Sequence, residues 1–234
     1  TSRCEHAWRS LRTQNDWKGF VPLLKEVVSL TRQEARHLAS IHGVTPYEAM
    51  LDRYEPGLSN QDIDQTLGQL ASWLPDLIRK SVKQQATQTV LVPQGPFPVE
   101  QQKQLCLQIM GALGFNFSAG RLDVSTHPFC GGVPEDVRIT TRFNTDEFLT
   151  SLYGTIHETG HALYEQNLPR DWLGQPAAQA RSMGIHESQS LFFEMQLGAN
   201  SGFIEWLSTQ LTANFGEQAA FTPDNLRRLL TRVK

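Results

Sequence analysis

Most apolar residues of this chain recur every three or four positions, the spacing that predicts amphipathic helices. Together with their start and stop signals, these intervals predict helices over residues 20–42, 45–54, from 59 past 78, and 98–113. Residues 93–98 contain three prolines and are the best candidate for a seam between subdomains. The pattern therefore predicts a mainly α fold.

Two short stretches alternate between apolar and polar residues in the manner of β-strands. They cover residues 121–125 and 136–143, and residues 127–132 form the predicted loop between them. In the second stretch, one face should carry Val137, Ile139 and Thr141, and the other Asp136, Arg138 and Thr140. We expect a small sheet of two or three strands.

The most informative helix follows these strands. Its apolar residues recur at helical spacing from Phe148 to Tyr164, Asn144 and Glu147 have the spacing of a capping box, and Pro169 should end it. Within this helix, residues 157–161 read His-Glu-Thr-Gly-His, the pattern HExxH.

The HExxH pattern indicates a metal site. His157 and His161 are four residues apart, so they share one helix face and can each give a nitrogen to one divalent ion. Glu158 follows the first histidine, where a carboxylate acts as general base toward a metal-activated water without itself binding the metal. A solvated helix with two incidental histidines is the alternative, and the apolar character of this helix argues against it.

A catalytic zinc usually has three protein ligands and one open position. Asn167 and Tyr164 replace the histidine and glycine of the metzincin pattern, which excludes that class. Glu187 and Glu194 lie two turns apart on one predicted helix face, so their spacing does not separate them. Leu191 stands where the thermolysin pattern has an aspartate, so the chain is gluzincin-like but not thermolysin-like. The other acidic candidates are Glu165, Glu205 and Glu217.

Composition restricts the partners. The net charge of -3 gives no reason to expect nucleic acid or anionic lipid, and the apolar runs fall short of a membrane span. Three cysteines cannot all pair, and their spacing fits neither a zinc knuckle nor a disulfide scaffold, so we expect reduced thiols and a cytoplasmic protein. Helical patterns are still in phase at both ends, so we expect residues 1–234 to be a single catalytic-domain fragment of a longer chain.

Four motifs, taken together, resemble one family. They are His127-Pro128-Phe129 (HPF), Asp136-Val137-Arg138-Ile139-Thr140 (DxRxT), the HExxH pattern, and His186-Glu187-Ser188-Gln189 (HESQ). In this order and spacing, the chain resembles the thermostable carboxypeptidases of the carboxypeptidase Taq family over essentially its whole length.

The resemblance implies a homodimeric, cytoplasmic peptidase that removes C-terminal residues with one divalent metal per chain, zinc or alternatively cobalt. It implies His157, His161 and Glu187 as ligands and Glu158 as general base. Members are longer at both ends and carry two further motifs after the stretch that matches this chain. We therefore expect a gluzincin-like helical metallopeptidase with a small β-sheet beside the HExxH helix.

Substrate binding has candidates of its own. Arg138 can hold a terminal carboxylate bidentately, although a structural pair with Asp136 is an equal alternative. His127 and His186 are candidates to donate to the substrate or the oxyanion, with packed, hydrogen-bonded histidines as the alternative. The sheet either binds the peptide as an added strand or is a structural hairpin.

The favoured function is thus a metal-dependent carboxypeptidase acting on peptides. An endo-acting metallo-oligopeptidase is one alternative, since it shares the HExxH and downstream glutamate chemistry. A non-catalytic helical fragment of such an enzyme is the other.

Overall fold

The computed structural model describes residues 1–125 and 128–233, and its secondary structure confirms a mainly α fold with one small sheet. The helices are α1 (Ser2–Thr13), α2 (Trp17–His42), α3 (Pro46–Leu51), α4 (Asn60–Gln85), α5 (Val99–Ala112), α6 (Leu149–Gln166), α7 (Met183–Leu191), α8 (Ser201–Phe215) and α9 (Pro223–Leu230). The strands are β1 (Gly120–Val124), β2 (Phe129–Val133) and β3 (Asp136–Thr141). Within this described part, no helix combines the length and apolarity that a membrane crossing needs.

The chain divides into two compact units, Thr1–Gln69 and Leu70–Lys234. In the first unit, α1 and α3 both pack on α2. The second unit contains the sheet, α5 to α9, and residues 93–98, where we predicted a seam. The organisation of residues 1–234 as a single catalytic domain stays a prediction.

The predicted capping box of α3 is confirmed. The Glu48 backbone N–H donates to Thr45 Oγ1 at 3.2 Å, and the Thr45 N–H donates to the Glu48 carboxylate at 3.1 Å. Just before it, Gly43 ends α2 in the left-handed conformation with φ of 69°.

The sheet differs from the prediction in its pairing. Its order is β1-β3-β2, with β1 parallel and β2 antiparallel to β3. The two predicted strands are therefore parallel neighbours, and most of the predicted loop forms β2 instead. The pattern missed this strand because Gly131 and Gly132 interrupt the alternation; Gly132 has φ of 119°, and a Cβ there would lie 2.1 Å from the Asp136 carbonyl oxygen.

The two faces of β3 carry the residues that we predicted, with one exception. Val137, Ile139 and Thr141 are buried, while Asp136 and Arg138 are exposed. The exception is Thr140, which is buried beside its β2 partner Phe129, and its hydroxyl accepts a hydrogen bond from the Phe129 backbone N–H. The buried face packs on α5 and α6, so the sheet lies directly beside the HExxH helix.

The predicted start of α6 was wrong. Asn144 is not its N-cap, since its side chain accepts from the Asp146 N–H at 3.0 Å in a local turn. The helix begins at Leu149, and the Glu147 carboxylate accepts the Thr150 N–H at 3.0 Å. The helix also ends at Gln166, ahead of Pro169.

A buried amide ties the start of α6 to α5. The Gln102 side chain donates to the carbonyls of Phe97 and Asn144, both at 2.7 Å, and accepts from Ser151 Oγ at 2.8 Å. Gln102 is 1% exposed. The surrounding core is formed mainly by α5, α6 and α8, and includes the buried residues Phe97, Leu105, Ile109, Phe148, Leu152, Ile156, Leu207 and Leu211.

We predict that Gln102→Leu lowers the free energy of unfolding by about 2 kcal/mol or more, because it removes the side-chain donor from the carbonyls of Phe97 and Asn144 and the acceptor from the buried Ser151 hydroxyl. Urea unfolding of the metal-free protein measures this change. Gln101→Leu, at an exposed position of the same helix, is the control and should change stability little. Equal losses in both variants would show that the buried amide network is not important for stability.

Candidate metal centre

Helices α6 and α7 bring together two histidines and a glutamate. His157 and His161 lie on successive turns of α6, and Glu187 lies on α7. Glu187 Oε2 is 3.1 Å from His161 Nε2 and 3.7 Å from His157 Nε2. One donor atom of each residue lies within 4.8 Å of the other two.

This donor set fits a zinc-type ion. Four-coordinate zinc with bonds of about 2.0–2.1 Å needs donors about 3.3 Å apart, close to the two separations at Glu187. Two imidazole nitrogens and one carboxylate oxygen also form a known set for catalytic zinc, which keeps its fourth position for water or substrate. The arrangement can therefore hold a divalent metal with one exchangeable site.

The third residue of the set depends on close contact between two helix backbones. A Cβ on Gly160 would lie 2.6 Å from Ser190 Cα and 3.0 Å from the Gln189 carbonyl oxygen, so only glycine allows α7 to lie this close to α6. Ser182 begins α7 as its N-cap, accepting from the Ile185 N–H at 3.0 Å. Ser190 Oγ donates to the Glu187 backbone carbonyl at 2.7 Å and also lies 3.2 Å from the Glu187 carboxylate.

Glu158 lies beside this cluster and is 7% exposed. Burial raises the pKa of its carboxyl, and the neighbouring carboxylates Glu187 and Glu194 raise it further, while His157 acts in the opposite direction. A carboxyl whose pKa is raised above its usual value is suited to accept and return a proton.

His161 is held in its neutral form. Burial lowers the pKa of its imidazole to about 4, and the neighbouring His186 and His157 rings contribute in the same direction. A neutral imidazole keeps a lone pair on one nitrogen, which is the form that binds a metal.

Glu187 and Glu194, which spacing could not separate, approach different atoms of His157. Glu187 faces Nε2, whereas Glu194 Oε2 lies 2.7 Å from Nδ1 on the far side of the ring. They differ because α7 ends at Leu191 and continues as a π turn, Phe192–Leu197. Glu165, another candidate ligand, contacts His186 Nε2 at 2.8 Å instead.

Of the described residues, the three-donor group contains His157, His161 and Glu187 and no other acidic candidate. Glu205 and Glu217 are exposed and take no part in it.

The predicted substrate residues have varied surroundings. Arg138 is half exposed and donates to the Asp136 carboxylate at 2.7 Å, the structural pair that we weighed as the alternative. His186 is buried, with its Nδ1 2.6 Å from His161 Nδ1. His127 lies outside the described residues. The roles of all three in substrate binding stay predictions.

Sequence reasoning missed two neighbours of the site. Gly160 was not singled out, although a glycine inside HExxH is the available signal for a close helix contact. Cys130 was counted only among the three cysteines that we expected to be reduced; burial, with Glu158 and Glu165 nearby, raises the pKa of its thiol to about 12. It is thus a protonated thiol near the site, and all three cysteines, Cys4, Cys106 and Cys130, are free.

Comparisons with known proteins place the chain in one family. The family model described as carboxypeptidase Taq (M32) metallopeptidase matches residues 1–234. Among curated proteins, thermostable carboxypeptidase 1 of Thermus thermophilus is 39% identical over 212 residues, which cover 87% of this chain and 42% of that protein. Carboxypeptidase 1 of Bacillus subtilis is 36% identical over 203 residues, covering 86% of this chain and 40% of the relative.

Solved structures agree with this result. The chain is similar to the structure of Trypanosoma cruzi metallocarboxypeptidase 1, with a TM-score of 0.90 and 48% sequence identity. The match covers 100% of this chain and 47% of that structure. The chain thus spans somewhat less than half the length of the relatives it matches.

We predict that Gly160→Ala lowers the free energy of unfolding by about 2 kcal/mol and weakens metal binding, because the new methyl group forces α7 away from α6. Urea unfolding and zinc titration measure the two effects. Gly154→Ala is the matched control on the same helix, since its Cβ would meet Pro128 at an ordinary 3.6 Å. It should be neutral or stabilising. Identical behaviour of the two variants would contradict the proposed role of Gly160.

Proposed function

Since the chain belongs to the carboxypeptidase Taq (M32) metallopeptidase family, we propose that it is a metal-dependent carboxypeptidase releasing C-terminal amino acids from peptides. One observation carries this proposal: the Nε2 atoms of two histidines and a glutamate oxygen converge beside a buried glutamate. His157, His161 and Glu187 would hold the divalent ion, zinc in our proposal and cobalt as the alternative.

The chemistry divides between the ion and Glu158. A divalent ion, when bound, supplies a Lewis acid that polarises the scissile carbonyl and makes water a better nucleophile. The Glu158 carboxylate takes a proton from the attacking water and delivers it to the amine nitrogen of the departing residue. The burial that raises the pKa of this carboxyl supports its role as a proton acceptor.

The sheet has an edge strand to which an extended peptide could add. β2 forms one edge of the sheet and packs beside α6, so an extended peptide added there would lie along the HExxH helix. Arg138 and His127 are the proposed substrate contacts. His186, the third candidate, would act on the substrate only indirectly, because both of its ring nitrogens already face partners, His161 Nδ1 and Glu165 Oε1. Because Arg138 already pairs with Asp136, a terminal carboxylate must compete with Asp136 for the guanidinium. Homodimeric assembly and a cytoplasmic location stay predictions from the family resemblance.

We predict that Glu158→Gln lowers kcat on a free-acid peptide by at least about 1,000-fold while zinc remains bound, because the amide cannot accept the proton of water. Metal analysis and a turnover assay on the same sample measure both quantities. Glu205→Gln, an exposed substitution on α8, is the control and should retain activity. Undiminished cleavage by the Glu158 variant would refute the general-base role.

We also predict that C-terminal amidation of the peptide abolishes cleavage, because a carboxypeptidase recognises the free carboxylate. Matched free-acid and amidated peptides, analysed by mass spectrometry, make this comparison. Internal cleavage of both peptides would instead support an endo-acting oligopeptidase. Zinc binding without turnover on either peptide would support a non-catalytic fragment.

A further inference from the structure

We propose that each metal-facing imidazole is held from its outer nitrogen by a carboxylate. Glu194 would hold His157 directly, and Glu165 would hold His161 through His186. Glu194, Glu165 and His186 are positioning residues, since none of them belongs to the three-donor group itself. This inference rests on the metal site proposed above.

The first contact is direct. His157 turns Nε2 toward Glu187 and Nδ1 toward Glu194, whose Oε2 is 2.7 Å away. If the metal takes Nε2, the ring proton must be on Nδ1, which then donates to the Glu194 carboxylate. A carboxylate in this place fixes the tautomer and the orientation of the ring, and makes it a better ligand.

The π turn provides the position of Glu194. The Gly198 N–H donates to the Phe193 carbonyl at 3.0 Å, five residues earlier, where an α-helix would bond four residues earlier. Tyr153 on α6 donates its hydroxyl to the Gly198 carbonyl at 3.3 Å and so holds the end of this turn against the HExxH helix. Glu194, seven residues after Glu187, thus reaches the outer side of the His157 ring. In the thermolysin pattern, the corresponding carboxylate stands only four residues after the third ligand.

The second contact runs through His186, and the positions of the protons follow from geometry. His161 Nε2 faces Glu187, so with a metal on Nε2 the proton is on Nδ1. That nitrogen lies 2.6 Å from His186 Nδ1, and the two cannot both carry a proton. His186 must therefore accept at Nδ1 and carry its own proton on Nε2, which faces Glu165 Oε1 at 2.8 Å.

Every donor in this hydrogen-bonded series meets an acceptor. The order is His161 to His186 to Glu165, and one arrangement of protons satisfies it together with the metal. His186 is buried, and the ring of Tyr164 lies against its face at 4.5 Å between centroids, so the ring has little freedom to turn. Hydrogen bonds in such a shielded place are stronger than those in water.

Zinc affinity of the metal-free protein tests the proposal without relying on catalysis. A chromophoric chelator competes with the protein for zinc, and the variants are Glu194→Gln, Glu165→Gln and His186→Phe. We expect 10- to 100-fold weaker affinity for each, about the loss that outer partners of metal ligands cause. Glu205→Gln removes the same charge at an exposed site and should bind zinc as the unmodified chain does. Unchanged affinity in all three variants would overturn the proposal.

The relay through His186 makes a sharper prediction. If Glu165 acts only through His186, the double variant His186→Phe with Glu165→Gln should lose no more affinity than His186→Phe alone. Losses that simply multiply would overturn the relay. If His186→Phe fails to fold by circular dichroism, a Glu165→Gln affinity equal to that of the unmodified chain overturns it equally well.

A further variant separates this proposal from the metal site on which it depends. His157→Ala should abolish stoichiometric zinc binding, and retained binding would overturn the site itself. If His157→Ala loses zinc while the three outer variants keep full affinity, only the outer positioning fails. The absorption bands of bound Co²⁺ give a second readout, because a ring that turns in the Glu194 variant changes the ligand field, whereas a loss of stability does not.

Discussion

The close contact between α6 and α7 at Gly160 is the constraint on which the rest of the site depends. It brings the Glu187 carboxylate from one helix against the Nε2 atoms of His157 and His161 on the other. HExxH alone supplies only two donors and a base, and it becomes a three-donor site because a second backbone lies against the side chains of the first. A side chain larger than hydrogen at position 160 would separate the two helices.

The charges around this contact explain why a dication suits it. Three carboxylates, those of Glu158, Glu187 and Glu194, lie around His157, and their mutual repulsion contributes to the raised pKa of Glu158. His161 offsets little of this repulsion, since burial and the neighbouring rings keep it neutral, whereas His157 lowers the pKa of Glu158. A divalent cation would neutralise the two carboxylates nearest His157 and leave Glu158 free for proton transfer. The same residues therefore suit the proposed metal site and base, and the chain belongs to a metallopeptidase family.

Periodicity and motif spacing predicted most of the helices, the presence of a sheet, and the presence of His157, Glu158 and His161 at the centre, whereas the family resemblance implied Glu187. They failed where local hydrogen bonding or tertiary contact decides the outcome. Asn144 has the spacing of a helix cap, but its side chain serves a turn instead. β2 escaped detection because two glycines interrupt its alternation. Glu187 and Glu194 had equal standing in an ideal helix, and only the π turn assigns them to opposite sides of one imidazole.

The most direct test of this account is a crystal structure of the zinc-loaded chain with anomalous diffraction data collected at the zinc edge. The account predicts one anomalous peak per chain, within about 2.0–2.2 Å of the Nε2 atoms of His157 and His161 and of a carboxylate oxygen of Glu187. Glu158 should lie beside the remaining position without binding the ion. A peak whose third ligand is Glu194 or Glu165, or a zinc-loaded fold with Glu187 turned away from both rings, would contradict it.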